Sequence, residues 1–161
     1  MLVVSNSSVL INLAILGRLR LLEMKFSEIV VPKAVWQEVV VDGKGKPGAK
    51  EVGESSWIKM KNIKDKLLVR SLSQQLDDGE SEAIALAIEN GADLVLLDER
   101  DARETAETFS LELLGTIGIL IWAKKEGHIR NFKAELDRLI KIAGFWISRD
   151  LYKRALVAAG E

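Results

Sequence analysis

Four stretches of this chain carry oxygen-rich side chains where chemistry would need them. They are Val3-Val4-Ser5-Asn6-Ser7-Ser8, the segment around Glu38, Gly79-Glu80-Ser81-Glu82, and Leu97-Asp98-Glu99-Arg100-Asp101. Brought together, these side chains form a pocket suited to a hard divalent cation, which prefers carboxylate and carbonyl oxygens. Several carboxylates sharing one site repel one another unless a cation neutralises them. Asn6 offers a carbonyl oxygen but no charge. Each acid alone also suits a helix terminus: Asp98 as an N-cap, Asp101, Glu80 and Glu82 as first-turn acids. It is the set, in one place, that points to a metal.

Composition narrows the chemistry further. The chain has 161 residues, no cysteine and one histidine, His128. Disulfides, thiolate zinc sites and cysteine nucleophiles are excluded, as are sites built from several histidines. Hydrophobic residues make up 48% and charged residues 29%, with a net charge of −1. That is ordinary for a globular protein and not the charge of a general nucleic-acid binder. Two local clusters, Lys59-Lys61-Lys64-Lys66 and Lys124-Lys125-Arg130-Lys133, remain as phosphate-binding candidates beside the plainer reading of solvated faces. No leader or membrane-spanning run is visible, so a cytoplasmic protein without membrane association is expected.

The elements that must position these residues are legible as alternating patterns. Apolar runs at Leu2–Val4, Ile29–Val31, Leu94–Leu97 and Leu111–Leu114 read as buried strands, and Trp57–Lys61 alternates like a strand near an edge. Helix-period segments lie between them, the pattern of an α/β fold with a parallel sheet. Ser7 or Ser8 is expected to cap the first helix, and Pro32 to open the helix carrying Glu38. A helix over Glu80–Asn90 ends at Gly91. Thr116 starts the helix through Lys125, and a helical tail follows over residues 128–161. Gly43–Gly48 lacks the spacing of a phosphate-binding loop and reads as a linker. In such a sheet ligands bind beyond the carboxyl ends of the strands, where Asn6 and Asp98 fall. At roughly 100° per residue, Glu80 shares the stripe of Ile84, Ala87 and Ile88, whereas Glu82 lies opposite; this ranks Glu80 above Glu82.

Several motifs together resemble PIN-domain proteins, and more narrowly a prokaryotic PIN-like subgroup: Val-Val-Ser-Asn-Ser-Ser from Val3, Val-Pro-Lys-Ala-Val-Trp-Gln-Glu-Val from Val31, Gly-Glu-Ser-Glu-Ala-Ile from Gly79, and Leu-Leu-Asp-Glu-Arg-Asp-Ala-Arg from Leu96. Gly115–Leu120 and Ala143–Ser148 fit as well, so the resemblance spans nearly the whole chain. It implies one PIN-like domain over 1–161, with a three-layer α/β/α fold around a parallel five-stranded sheet. It further implies an endoribonuclease using Mg²⁺ or Mn²⁺, with Asn6, Glu38, Glu80 and Asp98 as catalytic positions. Glu38, Glu80 or Glu82, Asp98 and nearby Asp101 would be the metal-facing acids, supported by Ser8 and Thr116. Asn6 departs from the family's usual aspartate, although the resemblance is to a subgroup with Asn at that first acidic position. Single-stranded RNA, an antitoxin protein and a second copy of the chain are the partners implied. The alternative is a weakly active or non-catalytic RNA- or protein-binding module that retains the fold. A phosphatase- or receiver-like reading fails on the missing aspartate after the first strand.

Overall fold

Short apolar runs build one all-parallel sheet in the computed structural model, which describes residues 1–161. Its strands are β1 (Val3–Ser5), β2 (Ile29–Pro32), β3 (Ile58–Lys61), β4 (Leu94–Leu96) and β5 (Leu113–Leu114), in the order β3-β2-β1-β4-β5. Val3, Val4 and Ser5 pair with Leu94, Val95 and Leu96, and Val4 also pairs with Val30. Successive side chains on a strand face opposite ways, so the sheet divides two cores. Val3, Ile29, Val31 and Leu96 join the larger core; Val4, Val30, Val95 and Leu97 join the smaller.

Helices cover both faces, which makes the architecture a three-layer α/β/α sandwich. The larger core is closed by α1 (Ser7–Ile15), α2 (Arg20–Phe26), α3 (Lys33–Trp36), α4 (Ala49–Gly53), α8 (Thr116–Lys125), α9 (Phe132–Ala143) and α10 (Arg149–Ala158). The smaller is closed by α5 (Lys66–Leu72), α6 (Asp78–Asn90) and α7 (Arg100–Thr108). Phe132, Leu136, Leu139 and Ala155 of the tail are buried in the larger core.

Local chemistry sets the ends that matter. Asp77 accepts from the Glu80 N–H at 2.7 Å, and Glu80 Oε2 accepts from the Asp77 N–H at 3.1 Å, a capping box that starts α6 two residues earlier than the apolar period suggests. Gly91 ends it in the left-handed conformation at φ 60°. α3 runs on into a π-helical turn over Gln37–Val41, which carries Glu38; such turns are rare and gather at functional sites. Two expected caps are absent. The N-cap of α1 is Asn6, not Ser7 or Ser8, and that of α7 is Glu99, not Asp98; neither makes a side-chain cap bond. Beyond the Gly43–Gly48 linker, α4 is a short helix that the pattern does not announce.

Candidate functional site

β1 is flanked by β2 on one side and β4 on the other, so the chain reverses its direction of travel across the sheet between β1 and β4. Crevices at such switch points, beyond the strands' carboxyl ends, are where α/β sheets bind ligands. The Asn6 N–H donates to Leu96 O at 3.0 Å, stitching the two strand ends together. The residues that follow each strand therefore face one another.

Two consecutive acids leave β4 and meet different fates. Asp98 is saturated: Oδ1 accepts from the Thr116 N–H at 2.7 Å, and Oδ2 accepts from Thr116 Oγ1 at 2.6 Å and Asn12 Nδ2 at 3.0 Å. It joins the end of β4 to the start of α8 and to α1, a favourable place for an anion at a helix N-terminus. Gly115 is required here, since a Cβ on it would sit 2.7 Å from Asp98 Oδ1. Glu99 instead turns toward β1. Its Oε2 accepts from Ser8 Oγ at 3.0 Å and Asn6 Nδ2 at 3.4 Å, while Oε1 accepts nothing.

Across the gap, Glu38 Oε2 accepts from Ser7 Oγ at 2.5 Å. Gly79 forms the floor between: a Cβ there would lie 3.2 Å from both Asn6 Oδ1 and Glu38 Oε2. Asn6 is 3% exposed, and its Oδ1 accepts no hydrogen bond. Glu80 is buried behind them, whereas Glu82 is half-buried and accepts from the Ala34 N–H at 3.0 Å, the orientation the helical period predicts. Burial pushes the Glu80 carboxyl above its usual range. The Asp77 N–H pulls it back, and the negative charges of Asp77, Glu99 and Glu38 push it up again. None of Glu38, Glu80 and Glu99 is in an ion pair.

The structure thus brings Asn6, Glu38, Glu80 and Ser8 around one gap, with Thr116 holding Asp98 at its side. Asp101 is not among them; it is exposed on the first turn of α7, in a hollow beside Glu104. A cleft of about 580 Å³ opens next to the gap, lined by Glu38, Glu82, Asp77, Asp78, Gly79 and a single cation, Lys33. Asp98 borders a different, more apolar cavity of about 280 Å³ with Arg103, Leu114, Phe145 and Leu151.

Whether these residues suit a divalent cation can be judged from the donors themselves. No three acids are gathered tightly enough to enclose an ion alone. Yet two oxygens, Asn6 Oδ1 and Glu38 Oε2, the second already accepting from Ser7 Oγ, converge over a glycine, beside two further carboxylates, Glu80 and Glu99, that no cation of the protein pairs. That fits Mg²⁺ or Mn²⁺, ions that suit oxygen ligands; Mg²⁺ in particular is commonly held by one or two carboxylates with water completing the shell. Three residues at the site had no site role in the sequence pattern: Glu99, which stood beside Asp98 in its stretch, Ser7, expected only as a helix cap, and Asn12. Ser8 and Asn12 stand four apart on one helical face and select the two consecutive acids, a spacing that was available as a signal.

A sequence model of the PIN domain matches residues 2–161, nearly the full length. A search of curated proteins finds no match. PIN domains form a nuclease-type family that generally uses divalent metals and generally binds RNA.

Proposed function

The chain belongs to the PIN-domain family, and on that premise we propose that it is a divalent-metal-dependent endoribonuclease that cuts single-stranded RNA at the β1–β4 crevice. The observation that carries this reading is Glu80: a buried carboxylate, surrounded by other carboxylates, with no cation of the protein beside it. Structural acids are rarely left that way; sites that handle charged ligands are.

The residues divide the work. Glu38, Glu99 and the Asn6 carbonyl would hold the metal, and Glu80, the most deeply buried acid of the crevice, would orient the attacking water and take its proton. Asp98, already holding three donors, keeps β4, α8 and α1 in register and acts as a support. When bound, Mg²⁺ or Mn²⁺ would offset charge on the scissile phosphate and lower the pKa of a bound water. Lys33 at the cleft mouth, and Lys66 with Asn62 in the adjoining hollow of about 360 Å³, offer contacts to the flanking phosphates. Neither lysine is committed to an ion pair.

We extend the reading to the toxin of a toxin–antitoxin pair, acting as a homodimer. The resemblance supports this, as does apolar surface that a partner would cover: Trp146 is 83% exposed and Ile142 60%. No helix is long and apolar enough to cross a membrane. A second reading, an RNA-binding module without activity, is favoured by two observations: Asn6 is neutral, and no three acids close around one point.

One experiment decides between them. Purified protein is incubated with single-stranded RNA and Mn²⁺ or Mg²⁺, with EDTA, Glu38→Gln and Glu80→Gln in parallel. The nuclease reading expects cleavage that EDTA abolishes and that each substitution lowers by about 100-fold, the scale of removing one acid–base or charge-stabilising group. RNA retention without cleavage by the wild type would establish the binding module; cleavage indifferent to EDTA would overturn the metal.

A further inference from the structure

Asn6 stands at the N-cap of α1, where an asparagine side chain ordinarily accepts from a backbone N–H of the first turn. Here it makes no such bond. Its buried amide is divided instead. Oδ1 faces the gap above Gly79 opposite Glu38 Oε2, and Nδ2 donates to Glu99 Oε2. Ser8 Oγ donates to the same Glu99 oxygen, so both donors fix one carboxylate oxygen and leave the other free. The α1 N-terminus, with partial positive charge, lies beneath this arrangement. An acid at position 6 would set a second carboxylate where Nδ2 now meets Glu99, with no protein cation to separate them.

We infer that Asn6 and Glu99 work as one amide–carboxylate unit: Glu99 supplies the negative charge at the β1–β4 junction, and Asn6 aims it while leaving its own oxygen open to a divalent cation. Asn6 then both positions Glu99 through Nδ2 and offers a ligand oxygen through Oδ1, and it is not the remnant of a lost acid. The inference rests on the metal-dependent reading of this site given above. It predicts that the charge is interchangeable between the two positions, because what the cation requires is one carboxylate and one amide in contact across the strand ends.

The test uses Asn6→Asp, Glu99→Gln and the double variant, with two readouts that do not involve RNA. In EDTA at pH 7, Asn6→Asp should melt about 2–4 °C below wild type, the scale of roughly one unfavourable kcal/mol in a domain of this length, and adding Glu99→Gln should restore most of that. Mn²⁺ affinity, read from the electron paramagnetic resonance signal of free Mn²⁺, should fall at least tenfold in Glu99→Gln and return to within about threefold of wild type in the double variant, if one carboxylate is the ligand that matters. Unchanged Mn²⁺ affinity in Glu99→Gln, or equal melting of Asn6→Asp and the double variant, would overturn the unit. Absence of Mn²⁺ binding by wild type would overturn the cation reading and the unit's role with it. Normal Mn²⁺ binding without RNA cleavage would overturn the nuclease reading alone and leave the unit standing.

Discussion

Glu135 on α9 and Glu80 on α6 are carboxylates of nearly equal burial, 6% and 9% exposed, in opposite surroundings. Glu135 Oε1 takes Arg18 at 2.7 Å and Oε2 takes Arg138 at 3.2 Å; Arg138 also reaches Leu16 O, so the triad fastens the tail to the corner after α1. Glu80 has a capping N–H and otherwise only acids for company. A buried charge is ordinarily paired, because leaving water without a partner is costly. The tail obeys that rule with the chain's own arginines. The β1–β4 crevice breaks it, and the break marks the place where a charge from outside the chain is expected.

Removing the paired acid should have the largest effect. Glu135→Ala strands two arginines, one of whose nitrogens, Arg18 Nε, is already buried without a partner. Loss of about 3 kcal/mol is expected, at the low end for a broken buried pair because both guanidinium groups are partly exposed; chemical denaturation measures it. A cost under about 0.5 kcal/mol, the level of an exposed pair, would erase the contrast.

Neutralising the unpaired acid should do the reverse. Glu80 has a carboxyl held above the ordinary range, so the unfolded chain ionises first as pH rises past 4.5. Stability is therefore lost with rising pH until the folded carboxyl ionises as well, and below 4.5 the penalty vanishes. Glu80→Gln keeps an acceptor for the Asp77 N–H and should be more stable than wild type by about 1 kcal/mol at pH 7, in metal-free buffer, and equal to it near pH 4. Melting curves across that range check this. Equal stability at both pH values would mean that Glu80 is solvated well enough to need no partner.

Gly79→Ala should change stability least. Alanine favours a helix by up to about 1 kcal/mol over glycine, against a Cβ placed 3.2 Å from two oxygens. Metal-free stability should stay within roughly 0.5 kcal/mol of wild type, because the helical gain and the crowding oppose one another, while any stabilisation by Mn²⁺ should be at least halved. An undiminished Mn²⁺ effect would show that the gap over Gly79 is not where the ion sits.

Much of the frame was legible from pattern alone. Four apolar runs and the alternating stretch Trp57–Lys61 announced the five strands, and the order of elements announced parallel pairing. Gly91 marked the end of α6, and helical period put Glu80 inside and Glu82 outside. What escaped the sequence depended on competition between partners. Asp98 looked like a cap for α7, but Thr116 offers it both a backbone N–H and a hydroxyl, and Asn12 a third donor. Asn6 looked like a diminished acid because its contact with Glu99 is 93 residues away in sequence. Glu99 was hidden behind Asp98, the first acid after the strand, and only the commitment of Asp98 elsewhere reveals which of the two faces the crevice. Asp101, named from its nearness in sequence, sits half a helical turn beyond that point and faces water. The π-helical turn carrying Glu38 and the short α4 leave no periodic trace at all.

The central claim, that the crevice acids await a divalent cation, is tested most directly by the melting temperature at pH 7 with and without Mn²⁺, in wild type and Glu38→Gln. A ligand present at about 100 times its dissociation constant stabilises by about 2.7 kcal/mol, which for a domain of this length corresponds to a rise of about 5–10 °C. The account predicts that rise in wild type and most of it lost in Glu38→Gln. No rise in wild type, or the same rise in both proteins, would contradict it.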